Sequence, residues 1–142
     1  MSLSVGDNQN LRVVLDSNVL LSALVYGGNP RKTMEWLLKN ASIIYCTQII
    51  TEIRRIVSTK FPDFTTELLM LEKLLERDAI RVEIGAITVS VSRDPDDNAI
   101  IESALAGQCH YIISGDKDLL VLGSYSGIKI VKPADFLGLL GP

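Results

Sequence analysis

The stretch VVLDSNVLLSAL, Val13 to Leu24, decides the fold. It belongs to an apolar run that starts at Leu11 and closes at Asp16, the pattern of a parallel strand buried on both faces. Asn18 then opens a second apolar stretch, Val19 to Val25, which reads as a helix. A strand that hands over to a helix through an acid puts Asp16 at the carboxyl edge of an open α/β sheet, where such sheets bind ligands.

The same design recurs further on. Tyr111-Ile112-Ile113-Ser114 is a hydrophobic strand followed by the acidic turn Gly115-Asp116-Lys117-Asp118, so Asp116 lies beside Asp16 if the two strands are neighbours. Between them, Ser92-Arg93-Asp94-Pro95-Asp96-Asp97 is a helix entry. Proline disfavours helix at Asp94, and the acids that follow suit a helix N-terminus. Asp97 shares a face with Ile101 and points toward the sheet edge. Glu52 rides in a helix that starts near Thr47 with the stripe Ile49, Ile53, Ile56 and Val57. It lies roughly 90° from the middle of that stripe, half facing the protein, while Arg54 and Arg55 turn outward.

The remaining segments alternate in the same way. Gly27-Gly28-Asn29-Pro30 breaks the chain, with Asn29 as the expected N-cap and Pro30 as the first helical residue. Ser42 to Cys46 reads as a strand, Phe61-Pro62 ends the helix carrying Glu52, and Leu68, Leu71, Leu74 and Leu75 mark another running to about Asp78. Two β-like stretches follow, Ile80 to Ile84 and Ile87 to Val91, and the chain closes with a strand from Ile128 to Val131 and a helix from Pro133. Alternating strands and helices predict a parallel sheet covered on both faces.

A chain of 142 residues, 47% hydrophobic, suits one compact domain over residues 11–142, preceded by a polar, flexible segment over 1–10. No apolar run approaches the ~20 residues of a membrane span, and the first ten residues lack a signal peptide's apolar core, so a cytoplasmic protein without membrane contact is expected. Cys46 and Cys109 show no zinc or redox spacing and read as reduced, buried thiols. Aromatics at 6% leave little stacking surface. The net charge of −3 disfavours phosphate contact, but divalent ions at the acidic sites would turn it positive.

With those residues in view, the chain resembles the PIN-domain nucleases. VVLDSNVLLSAL is similar to the family's first motif, and Glu52, RDPDDNAIIESALAG and IISGDKDLL follow in the family's order, covering Leu11 to Leu137. The last two blocks are most similar to VapC-type toxins of toxin–antitoxin pairs. The resemblance implies a three-layer α/β/α sandwich with a five-stranded, mainly parallel sheet. It also implies Mg²⁺- or Mn²⁺-dependent endoribonuclease activity, an RNA substrate, a cognate antitoxin and a homodimer. Carried over by motif, Asp16, Glu52, Asp97 and Asp116 are the catalytic acids, and Asp118 is an additional metal ligand beside Asp16, Asp97 and Asp116.

Phosphodiester hydrolysis needs an attacking hydroxide and a sink for charge on the leaving oxygen, which two such ions about 3.5–4 Å apart supply. Glu52 is left to bind a second ion or to orient the water. Asn18, Ser114 and Asp94 are expected to hold these carboxylates by hydrogen bonding, and Arg54, Arg55 and Lys117 to contact RNA phosphates or, alternatively, a partner protein. Asp94 and Asp96 also fit a loop and cap role, and each acid at a strand end is, taken singly, as compatible with capping as with catalysis. His110 has no Ser or Cys partner pattern, and Trp36 reads as packing.

Three rivals compete. A haloacid-dehalogenase-type phosphatase needs an acid where Asn18 stands. A response-regulator receiver needs paired acids ahead of the phosphorylated Asp and a late strand-end Lys, a pattern that Lys117 and Lys132 do not meet. The third is a non-catalytic scaffold of the same fold.

Overall fold

In the computed structural model, which describes residues 11–85 and 93–141, a six-stranded sheet runs in the order β3-β2-β1-β4-β6-β5. The strands are β1 (Arg12–Leu15), β2 (Ser42–Tyr45), β3 (Ile80–Arg81), β4 (Tyr111–Ile113), β5 (Ser124–Tyr125) and β6 (Ile128–Val131). The helices are α1 (Ser17–Val25), α2 (Gly28–Asn40), α3 (Thr47–Lys60), α4 (Thr65–Asp78), α5 (Pro95–Ala106), α6 (Lys117–Leu120) and α7 (Pro133–Leu139). β1 pairs in parallel with β2 and with β4, so Leu15 lies opposite Ile113 and the acids after the two strands are neighbours.

Consecutive residues Val13, Val14 and Leu15 are all buried, as are Ile43, Ile44 and Tyr45 in β2. Because neighbouring side chains on a strand point to opposite faces, both faces of the sheet are covered. The core is aliphatic, and Phe136 of α7 stacks edge-on with Trp36 at 5.8 Å and Tyr111 at 5.5 Å, which gives Trp36 its packing role. α5 lies close against the sheet: a Cβ on Gly107, at its end, would come within 2.6 Å of Ile44 Cγ2. Glycine there lets the helix that carries Asp97 reach the sheet. Cys46 and Cys109 are free and buried, and burial pushes the Cys109 thiol up to about 12.

Three local details depart from the sequence reading. The five parallel strands are joined by a sixth, β5, antiparallel to β6 through a two-residue turn at Ser126 and Gly127. Both turn residues have positive φ, 49° and 82°, the signature of a type I′ hairpin. β3 stops at Arg81 rather than Ile84, because it is an edge strand paired only with β2; the backbone of Val82 adds one further bond, to Tyr45, at 2.8 Å. α2 begins at Gly28 with Gly27 as N-cap, not at Pro30 after Asn29. Gly27 has φ 75°, and its N–H closes on the Ser22 carbonyl, so the reversal out of α1 ends there. Pro30 sits in the first turn, where its missing N–H costs no helical hydrogen bond. The stretch expected as a strand from Ile87 to Val91 lies outside the described residues, as does the segment 1–10.

Candidate active site

Asp16 ends β1 and caps α1. Its Oδ1 accepts the Asn18 N–H at 3.2 Å and the Ser17 hydroxyl at 3.4 Å, and its Oδ2 accepts the Ser114 hydroxyl at 2.6 Å. It is only 4% exposed, and burial raises its carboxyl above the usual range more than the Ser114 and Asn18 hydrogen bonds lower it; the charge of Asp116 raises it further. Ser114 Oγ also accepts the Asp116 N–H at 2.9 Å, so one hydroxyl ties the end of β1 to the turn after β4. Asn18 acts here through its main-chain N–H, its side chain being exposed.

Asp116 caps α6 by accepting the Asp118 N–H at 2.8 Å, and Asp94 caps α5 by accepting the Asp96 N–H at 2.9 Å. Asp97, 4% exposed, lies in the first turn of α5. One carboxylate oxygen each from Asp94, Asp97 and Asp116 lies within 4.8 Å of the others. Asp94, expected from sequence as a supporting residue, is thus part of the tightest group. Asp16, expected at its centre, stands one hydroxyl away, and Asp118 is exposed and outside the trio. Three anionic oxygens at this spacing are hard donors of the kind that Mg²⁺ and Mn²⁺ take, so the residues fit such an ion.

Glu52 belongs to a second acidic pair. Its side chain is 17% exposed and forms an ion pair with Arg55 at 2.7 Å. Asp96 is the other member, with its carboxyl raised by burial first and then by the charges of Glu52 and Asp94. Ser17, Gln48, Glu52 and Asp96 line one narrow cleft between α3 and α5. From sequence Asp96 reads as a loop or cap acid, and Ser17 has no role of its own. The spacing in Asp94-Pro95-Asp96-Asp97 is the signal that could have found Asp96, since successive residues of a first helical turn face different neighbours.

The basic residues divide. Arg55, exposed, is held by Glu52, and that hydrogen bond is the main reason its guanidinium titrates higher than usual. Arg54 does not simply turn outward to solvent: it pairs with Glu72 of α4, a residue only 8% exposed. Lys117 is exposed at the start of α6. His110 accepts the Arg12 N–H on Nδ1 at 3.0 Å as β4 begins, at the sheet edge opposite the acids.

A three-layer α/β domain with an aspartate-lined carboxyl edge is the class that this geometry defines. A family model described as PIN domain matches residues 12–118, and the chain belongs to that family. Among solved structures it is similar to VapBC2 from Rickettsia felis bound to a DNA fragment from their promoter, with 14% identity and a TM-score of 0.60 over 84% of this chain and 97% of that one. That likeness is one of fold. No curated protein matches the chain. Among the described residues no helix is long and apolar enough to cross a membrane.

Proposed function

We propose that this PIN domain is an endoribonuclease dependent on Mg²⁺ or Mn²⁺ and the toxin of a toxin–antitoxin pair. The observation that carries the reading is the convergence of Asp94, Asp97 and Asp116, with Asp16 joined to them through Ser114, at the carboxyl edge of the sheet. Asp94, Asp97 and Asp116 would hold the ion, and Asp118 is close enough in sequence to join through water. When bound, one or two such ions supply a hydroxide at neutral pH and offset charge on the leaving oxygen.

The protein's own groups do the rest. Ser114 fixes both the Asp16 carboxylate and the Asp116 backbone, so these acids enter the reaction already oriented. Glu52 and Asp96 stand on the α3 side, where a carboxylate can accept a proton from the attacking water. Lys117, exposed between Asp116 and Asp118, would meet backbone phosphates without reading bases, and Arg55 could do so only by leaving Glu52. Arg54 is less suited to that role, since Glu72 already neutralises it. The similar Rickettsia felis protein is part of a VapBC complex, which supports a cognate antitoxin here; a homodimer in the cytoplasm completes the reading.

The test is RNA cleavage by the purified chain with Mn²⁺ and with chelator, run beside hydrolysis of a simple phosphate monoester and labelling by acetyl phosphate. Fragments released only with the ion support the nuclease. Monoester turnover alone would point to a phosphatase, stable labelling to a receiver, and none of the three to a scaffold.

A further inference from the structure

We infer that the cavity over the ends of β2 and β3 is a base-binding subsite, which takes a guanine of the RNA strand beside the point of cleavage. This rests on the nuclease reading for its biological substrate, while the binding itself can be measured without cleavage. The cavity encloses about 380 Å³, within the range of small-ligand sites, roughly 300–1,000 Å³. Tyr45 and Arg81 of its lining end β2 and β3, at the same carboxyl edge as the acids and one to two strand spacings, roughly 5–10 Å, from β1. A strand of RNA crossing the acids can therefore place a neighbouring nucleotide in it.

The lining suits a base rather than a phosphate. Tyr45 is only 6% exposed, and its hydroxyl has no hydrogen-bond partner among the described residues, although it lies in the fields of Arg81 on one side and Glu76 on the other. Burial keeps this phenol protonated, so it both donates and accepts. Arg81 has only a loose contact with Glu83, at 4.0 Å, and its guanidinium is more than half exposed. Ile50 supplies an apolar wall, and the Arg54–Glu72 ion pair, closed on itself, forms another. Apart from the exposed Thr47 hydroxyl, the polar groups outside that ion pair are one cation, one carboxylate and one phenol. A phosphate would meet Glu76 unfavourably. Guanine satisfies all three: arginine pairs with its O6 and N7, a carboxylate accepts from its N1–H and N2–H, and the phenol fills in at O6. Adenine, cytosine and uracil can meet each group once, but none of them offers the arginine two acceptors and the carboxylate donors on two neighbouring nitrogens at the same time, as guanine does.

The experiment is a titration of the ¹⁵N-labelled chain, in chelator, with the four nucleoside 5′-monophosphates, followed by NMR. GMP should bind tightest and shift the amides of Tyr45, Thr47 and Arg81; Arg81→Gln should weaken it by roughly tenfold, and Tyr45→Phe, which keeps the ring, by less. In RNA cleavage, Arg81→Gln should raise KM with kcat little changed. Equal shifts from all four nucleotides, or no shift at these amides at millimolar GMP, would overturn the subsite. Since no ion is present, GMP binding by a chain that cuts no RNA would keep the subsite and sink the nuclease. Cleavage unaltered by Arg81→Gln, with no GMP shifts, would do the reverse.

Discussion

Helices on the two sides of this sheet begin in different ways. On the β1–β4 side, α1, α5 and α6 are each capped by an aspartate, Asp16, Asp94 and Asp116, whose side chain accepts a main-chain N–H two residues on. On the β2–β3 side, α3 and α4 follow Cys46 and Phe64 and have no side-chain cap. A capping carboxylate spends one oxygen on the helix and keeps the other, with its negative charge, for a ligand. The capped side therefore carries charge inward at little cost to local structure. The uncapped side depends on packing and on the Arg54–Glu72 pair, and its cavity is nearly neutral. The difference separates chemistry from recognition: anionic oxygens gather where a cation is wanted, balanced donors and acceptors where a base is.

The sharpest way to break this comparison is to remove charge but keep the caps. Asp97→Asn and Asp116→Asn should each lower RNA cleavage at least about a hundredfold with the melting temperature nearly unchanged, because the amide keeps the shape and loses the ligand charge. Activity within a few-fold of the parent would mean that these two acids serve only the structure, Asp116 as a cap and Asp97 within the first turn of α5. Removing the cap itself should show in stability: Asp94→Ala should lose about 1 kcal/mol in urea unfolding, Asp94→Asn much less. Equal losses would place Asp94 outside the capping role.

Asp16 gives a pH test. Its folded carboxyl titrates above the ordinary 3.8, so the folded chain keeps a proton over a range where the unfolded chain has lost it. Stability must then fall as pH rises from 3.8 through the folded value. In chelator, the parent should gain on Asp16→Asn between about pH 7 and about pH 4, since the variant lacks this titration. A constant difference between the two proteins would contradict a buried, raised carboxyl. On the uncapped side the effect is smallest: Arg54→Ala should cost about 0.5–1 kcal/mol, because its guanidinium is largely exposed and screened. A loss of several kcal/mol would show that Glu72 depends on it far more than its exposure suggests.

Much of this was legible in the chain. The runs ending at Leu15, Tyr45 and Ile113 are buried on both faces, and such strands announce themselves by unbroken hydrophobicity. The acids after the runs ending at Leu15 and Ile113 were legible for the same reason, since a charge closing an apolar run has to sit at the sheet edge. Edge elements were less so. β3 exposes both its residues, and β5 is a two-residue strand whose one sign, the turn dipeptide Ser126-Gly127, went unread. Long-range pairs were invisible: Arg54 meets Glu72 eighteen residues away, on a different helix, and nothing local distinguishes it from an arginine facing water. The division of labour within Asp94-Pro95-Asp96-Asp97 also needed three dimensions. Each of these acids suits a helix N-terminus, and only the packing of α3 against α5 turns Asp96 toward Glu52 and away from the trio.

The central claim, that the aspartates of the capped side hold a divalent cation, is tested most directly by Mn²⁺ binding in the absence of RNA, followed by electron paramagnetic resonance. The account predicts saturable binding by the parent chain and its loss in the Asp97→Asn, Asp116→Asn double variant, with the fold of the metal-free variant intact. A parent chain that leaves the free Mn²⁺ signal undiminished, or a double variant that binds as tightly as the parent, would contradict it.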